Sequence, residues 1–81
     1  MRLDKFLKVS RIIKRRAVAN SACDLNRVLL NGKEAKPSKE VKVGDIITIN
    51  FGDKPFSFRV LVIPDGNVKK EETKKLFEPI V

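Results

Sequence analysis

The sequence predicts an α+β fold, with two packed N-terminal helices on a small, mostly antiparallel sheet. Three observations carry that reading. Apolar residues up to Asn26 recur at helical spacing. From Arg27 onward, short aliphatic runs alternate with turns marked by glycine. Asn31-Gly32, the strongest short-range hairpin signal, separates the first two of these runs.

In the first helix Leu3, Phe6, Leu7 and Ser10 share one side, with Val9 and Ile13 at its margin. The opposite side collects Asp4, Lys5, Lys8 and Arg11, with Asp4, Lys8 and Arg11 stacked at spacings of four and three. The apolar set changes phase near Ile13–Lys14, which predicts a break there. Val18, Ala19, Ala22 and Cys23 form a second stripe and leave Arg16, Asn20, Ser21 and Asp24 facing away. The second helix is expected to start at Lys14–Arg15 and stop near Leu25–Asn26, where asparagine takes the left-handed C-terminal conformation. Small side chains at Ala19 and Ala22 suit close packing against the first helix.

The β half follows in short pieces. "RVLL" is a strand, "KEAK" its return, and Pro37 ends it. A turn at Gly44-Asp45 precedes the strand "IITINF", and Gly52-Asp53-Lys54-Pro55 turns the chain again. "FSFRVLVI" reads as a longer strand, its Phe56, Phe58, Val60 and Val62 alternating with Ser57 and Arg59. Pro64-Asp65-Gly66-Asn67 breaks it. The tail "VKKEETKKLFEPIV" reads as a short helix with a Glu71–Lys75 pair, weak if isolated.

These elements make one domain, of a size at which a single core is only marginally stabilising. No apolar run approaches the roughly 20 residues that span a bilayer. Charges occupy the N-terminal region where a signal peptide would be apolar. The single cysteine excludes an internal disulfide and a multi-thiolate metal site, and a reducing, cytoplasmic home is expected.

The placement of charge points to function. Of the net +8, residues 1–20 hold seven Lys/Arg against one Asp, whereas residues 21–50 and 51–81 contribute +1 each. A local positive field of that kind is the footprint of a polyanion-binding face. Lys5, Lys8 and Arg11, continued by Lys14, Arg15 and Arg16, crowd like charges that folding gains nothing from, while a phosphate backbone repays the repulsion through counterion release. The plainer reading, a solvated helix face, stays open. Arg16 and Asn20, one turn apart, suit a phosphate and a base or ribose edge. Lys33 and Lys36, with Lys39, border that face or guard an edge strand; both readings are open. A membrane-surface helix would need exposed apolar residues that the core consumes.

Catalysis is poorly supported. The chain has no histidine, tryptophan or tyrosine, and most carboxylates neighbour Lys or Arg. Cys23 sits on an apolar stripe without an activating base and reads as a buried small hydrophobe. Asn31-Gly32-Lys33 has one glycine before a strand and is no phosphate loop. No cofactor or metal is expected.

"RLDKFL" followed by "KRRAVANSACDLNRVLLNGKEAKPSKEVKVGDIITI" resembles the RNA-binding domain first described in ribosomal protein S-four, over about residues 2–63. The opening "MRLDKFLKVSR" and the "KKEE"-type tail are similar to the bacterial RqcP family, itself related to the heat-shock S-four proteins. The resemblance implies an S-four-type domain over residues 1–64 and a C-terminal tail over 65–81. It implies a non-enzymatic protein, cytoplasmic and ribosome-associated, that binds obstructed large ribosomal subunits through rRNA and peptidyl-tRNA. There such proteins assist RqcH in tailing the stalled chain. Arg2 and Asp4 match the opening "RLD", and Arg16 the arginine at the start of helix two. The implied RNA-binding set is Arg2, Lys5, Lys8, Arg11, Lys14, Arg15, Arg16, Asn20, Lys33 and Lys36, with Asp4 orienting Arg16 or Arg11 through a charge-assisted bond. "CDLN" replaces a frequent glycine, and Asn20 a frequent basic residue. A monomer that leaves membranes alone is expected. A basic structured-RNA or nucleoid binder without ribosome specificity, and a targeting domain left from a modifying enzyme such as a pseudouridine synthase, are the alternatives.

Overall fold

The computed structural model describes residues 1–50, 52, 54–66 and 68–80. In chain order they form α1 (Leu3–Val9), α2 (Arg16–Asp24), β1 (Val28–Leu30), β2 (Lys33–Glu34), β3 (Ile46–Ile49), β4 (Phe56–Val60), a 3-10 helix (Lys70–Lys75) and β5 (Phe77–Ile80). The strands make one antiparallel sheet in the order β2-β1-β3-β4-β5, against which the two helices pack. The α+β architecture is as the sequence predicts.

α1 buries Leu3, Phe6 and Leu7 completely. It has no side-chain cap. Its first free amides instead donate to a crossing segment, Leu3 N to the Lys39 carbonyl at 2.8 Å and Asp4 N to that of Pro37 at 3.1 Å. The helix stops at Val9, earlier than the expected break at Ile13–Lys14. Arg11 adopts a left-handed φ of 61°, and its amide turns back on the Lys8 carbonyl. Ile13 is nevertheless buried: it enters the core from the connecting loop, so its spacing imitates a longer helix.

α2 begins at Arg16, just after the expected start, with Arg15 as its extended N-cap residue. Ala19, Ala22 and Cys23 are buried, but Val18 is 48% exposed, contrary to the stripe drawn from the sequence. Only the i, i+3, i+4 set of small residues faces α1 and β1, and Val18 falls beside it. Asn26 closes the helix at a φ of 58°, in the left-handed conformation expected there.

The β1–β2 turn places both Asn31 (φ 53°) and Gly32 (φ 82°) in the left-handed region, as a type I′ turn requires. The Asn31 amide nitrogen donates to Asp45 Oδ1 at 3.0 Å, and its oxygen accepts from Ile46 N at 2.9 Å, tying the hairpin to the start of β3. The return strand is shorter than "KEAK" because the chain leaves the ladder after Glu34 and buries Pro37 under α1. β4 ends at Val60 and does not reach Ile63, since the amides of Leu61 and Val62 both turn to the Leu76 carbonyl.

The tail departs most from expectation. In place of an α-helix it makes a 3-10 helix, buries Leu76 in the core, and then forms β5 along β4, from Val60↔Phe77 to Ser57↔Ile80. Phe77 meets Phe58 edge-on, with ring centroids 5.2 Å apart. Among the described residues no Glu71–Lys75 ion pair forms. The expected strand end at Phe51, Asp53 of the next turn and Asn67 of the later break lie outside the described residues. No helix is long and apolar enough to cross a membrane among those described.

Candidate nucleic-acid interface

The buried carboxylate of Asp4, 2% exposed, organises the N-terminal cations. Its Oδ1 accepts from Arg2 Nε at 3.2 Å and from the Lys5 amide at 2.8 Å. Its Oδ2 accepts from Arg2 Nη2 at 3.3 Å, Arg16 Nε at 3.3 Å and Asn20 Nδ2 at 3.4 Å. Burial pushes the Asp4 carboxyl upward, but the bonds from Asn20 and Arg16, the Arg16 charge and the Lys5 amide outweigh it and hold the group below its ordinary value.

The helical wheel placed Asp4 on the wet side of α1 in a stack with Lys8 and Arg11. That placement is corrected on two counts. α2 covers the start of α1 and buries the carboxylate, and Arg11 lies beyond the end of α1, so the stack does not form. The partner of Asp4 across the helix pair is therefore Arg16, not Arg11.

Arg2 and Arg16 remain half exposed, their side chains 50% and 48% accessible. With Asp4, Ala17, Asn20 and Ser21 they line one shallow, open groove. Arg16 uses only Nε on Asp4, which leaves its two terminal nitrogens for a ligand. The arrangement holds two guanidinium forks and an amide in fixed relative positions, a geometry matched to phosphate oxygens.

The remaining cations divide into separate groups. Lys8, Arg11 and Lys14 line a second groove with Val9 and Val68, with no acid in its wall among the described residues. Lys5 is half buried and Arg15 exposed at the α2 cap. Lys36 lines the groove beside Cys23, Asp24 and Asn26 at the end of α2, whereas Lys33 lies along the hairpin with Lys36, Ser38 and Lys39. The sequence drew one continuous face, and the fold resolves it into grooves. Val68 is a member that no local pattern announced, because a single valine between polar residues carries no periodic signal.

Cys23 is buried, and burial, followed by the nearby charges of Asp4 and Asp24, pushes its thiol up to about 11. A thiol so placed stays protonated near neutrality and is a poor nucleophile.

The S4 domain family profile matches residues 1–47, which span both helices, the hairpin and the start of β3. The RQC P-site tRNA stabilizing factor of Bacillus subtilis (strain 168) is 48% identical over 77 residues, covering 95% of this chain and 88% of that protein. This chain belongs to the S4 domain family, among the RQC P-site tRNA stabilizing factors. The stabilizing factor of Streptococcus pneumoniae (strain ATCC BAA-255 / R6) is 49% identical over 80 residues, with 99% of this chain and 90% of that one covered. The structure of Vibrio cholerae heat shock protein 15 superposes with a TM-score of 0.89 at 32% identity, covering 99% of this chain and 81% of that chain. The S4 match takes in every cation of the two grooves, while Val68 and the β4–β5 edge lie beyond it.

Proposed function

We propose that this chain is a non-enzymatic RNA-binding protein of ribosome-associated quality control. It binds rRNA and peptidyl-tRNA on obstructed large ribosomal subunits and, working with RqcH, assists tailing of the stalled nascent chain. The observation that carries this reading is the Asp4-centred clamp, which presents Arg2, Arg16 and Asn20 pre-organised at an open groove. Guanidinium groups already fixed by a buried acceptor lose little further freedom when they grip phosphates. The names of the relatives, which specify a P-site tRNA, support the choice of ligand.

The physical setting agrees. The molecule is a block of 29 × 27 × 20 Å, a shape that fits against folded RNA better than along one extended strand. Cations concentrated on two short helices give affinity by counterion release, so binding should fall steeply as salt rises. With a net charge of +8, free copies repel one another, which supports action as a monomer.

The test is a pull-down of the tagged chain from a lysate resolved on a sucrose gradient, probed for tRNA and for rRNA of each subunit. Enrichment of large subunits bearing peptidyl-tRNA over vacant ones and intact ribosomes is the expected result. Arg16→Gln, which removes the guanidinium without setting a second carboxylate beside buried Asp4, should sharply reduce that enrichment with circular dichroism unchanged. Recovery of small-subunit rRNA alone, or of nucleic acid without preference, would overturn the proposal.

A further inference from the structure

The clamp fixes which way the Asn20 amide points. Asp4 is buried, and its carboxylate, ionised at neutral pH, can only accept hydrogen bonds. The Asn20 amide nitrogen therefore turns inward and donates to Asp4 Oδ2 at 3.4 Å. Its carbonyl oxygen, Oδ1, is thereby turned away from the carboxylate. Oδ1 bonds no protein group among the described residues, and it is not sealed from solvent. Asn20 lines the groove of Arg2 and Arg16, so this oxygen is presented there.

The other side chains of the groove offer something different. Arg2 and Arg16 only donate, Ala17 does neither, and the Ser21 hydroxyl rotates to suit either role. The oxygens of Asp4 are already engaged by Arg2, Arg16, Asn20 and the Lys5 amide. Among the described residues, Asn20 Oδ1 is thus the one side-chain acceptor of fixed direction left open in this groove. A phosphate, itself an acceptor, gains nothing from it. What the oxygen needs is a donor that lies close to a phosphate. Asn20 stands four residues after Arg16 on α2, about 6 Å along the helix axis, a separation on the scale of one step of a nucleic-acid backbone. The ribose 2′-hydroxyl is a donor at that range. A base amino group is the rival, but the wide, shallow minor groove of an RNA helix brings its 2′-hydroxyls to a shallow protein surface before its base edges.

We infer that Asn20 is a specificity-determining residue: its Oδ1 accepts the 2′-hydroxyl of a ribose whose neighbouring phosphate Arg16 grips. The contact distinguishes RNA from DNA at the clamp, which guanidinium–phosphate pairing alone does not. It rests on the proposed RNA-binding function and names the group that the clamp reads.

The test compares an RNA hairpin with the same hairpin carrying 2′-fluoro in place of every 2′-hydroxyl. That exchange keeps the bases, the phosphates and the A-form shape, and removes the donor. The unmodified chain should prefer the hydroxyl hairpin, and Asn20→Ala should narrow the preference by about 3- to 10-fold, the worth of one hydrogen bond. Asn20→Lys keeps a donor for Asp4 but offers no acceptor, so it should bind both hairpins more tightly and narrow the preference as well. Three outcomes overturn the 2′-hydroxyl contact alone: equal binding of the two hairpins by the unmodified chain, a preference undiminished in either variant, or an equal fall for both hairpins in Asn20→Ala. The first is also what recognition of a base amino group would give. Binding of neither hairpin by the unmodified chain overturns the contact and the proposed function together.

Discussion

Asp4→Asn keeps the size of the side chain, removes one negative charge and turns an acceptor-only group into one that also donates. Arg2, Arg16 and Asn20 would then face a neutral amide unable to receive all their bonds. RNA affinity should fall about tenfold although the chain becomes more positive, because the clamp loses its geometry. A filter-binding titration at physiological salt checks this, and tighter binding would show that the cations act as a diffuse patch. Arginine at this buried position would disrupt the fold, so asparagine is the cleaner substitution. The same carboxylate also carries pH dependence. Its folded-state pKa is depressed, so its contribution to stability is present above the unfolded value of about 4 and is lost as pH falls through the lower folded value. Urea midpoints of the parent chain should hold with respect to this group from pH 7 to 5 and decline below about 4, a decline that Asp4→Asn should blunt. A lone acid in a basic stretch is conspicuous in the sequence. Its burial is not, because a helical wheel of α1 contains no information about where α2 lands.

How α1 terminates joins backbone strain to the cation groove. Arg11 occupies a left-handed position where glycine would be the default, and it lines the Lys8–Lys14 groove. Arg11→Gly should therefore stabilise the fold by about 1 kcal/mol or less while weakening RNA binding and flattening the salt slope by about one unit. Denaturant melts and salt titrations of the same variant check the two halves; loss of both stability and affinity would mean that Arg11 serves only the fold. The helices, the Asn31-Gly32 hairpin and the strand starts were legible because each has a local marker, either a periodicity or a turn dipeptide. β5 was not. Its four residues include Pro79, which an outer strand tolerates, and they follow a run of six polar residues from Lys70 to Lys75. Its place is decided by pairing with β4 and by Leu76 filling the core, and both are long-range effects. Val18 failed for a related reason: the width of the buried stripe on α2 is set by the partners that cover it.

The molecule is held together across the clamp by the segment at 37–41. Pro37 and Lys39 cap α1 through their carbonyls, the Val41 amide donates to the Met1 carbonyl at 2.9 Å, and the backbones of Arg2 and Glu40 pair in an isolated antiparallel bridge. Arg2 and Asp4 thus belong to one hydrogen-bonded unit with a stretch more than thirty positions away in the chain. A ligand that immobilises Arg2 must then suppress opening of the whole unit, because these bonds break together. Solvent deuterium is the probe of that motion. On adding RNA, the Val41 amide should slow its exchange in step with Leu3, although Val41 itself offers no side chain to the grooves, and protection confined to the helices would show that the two segments open independently. The N-terminal clamp would then report its occupancy at a buried strand-like position, readable by mass spectrometry without any label on the RNA.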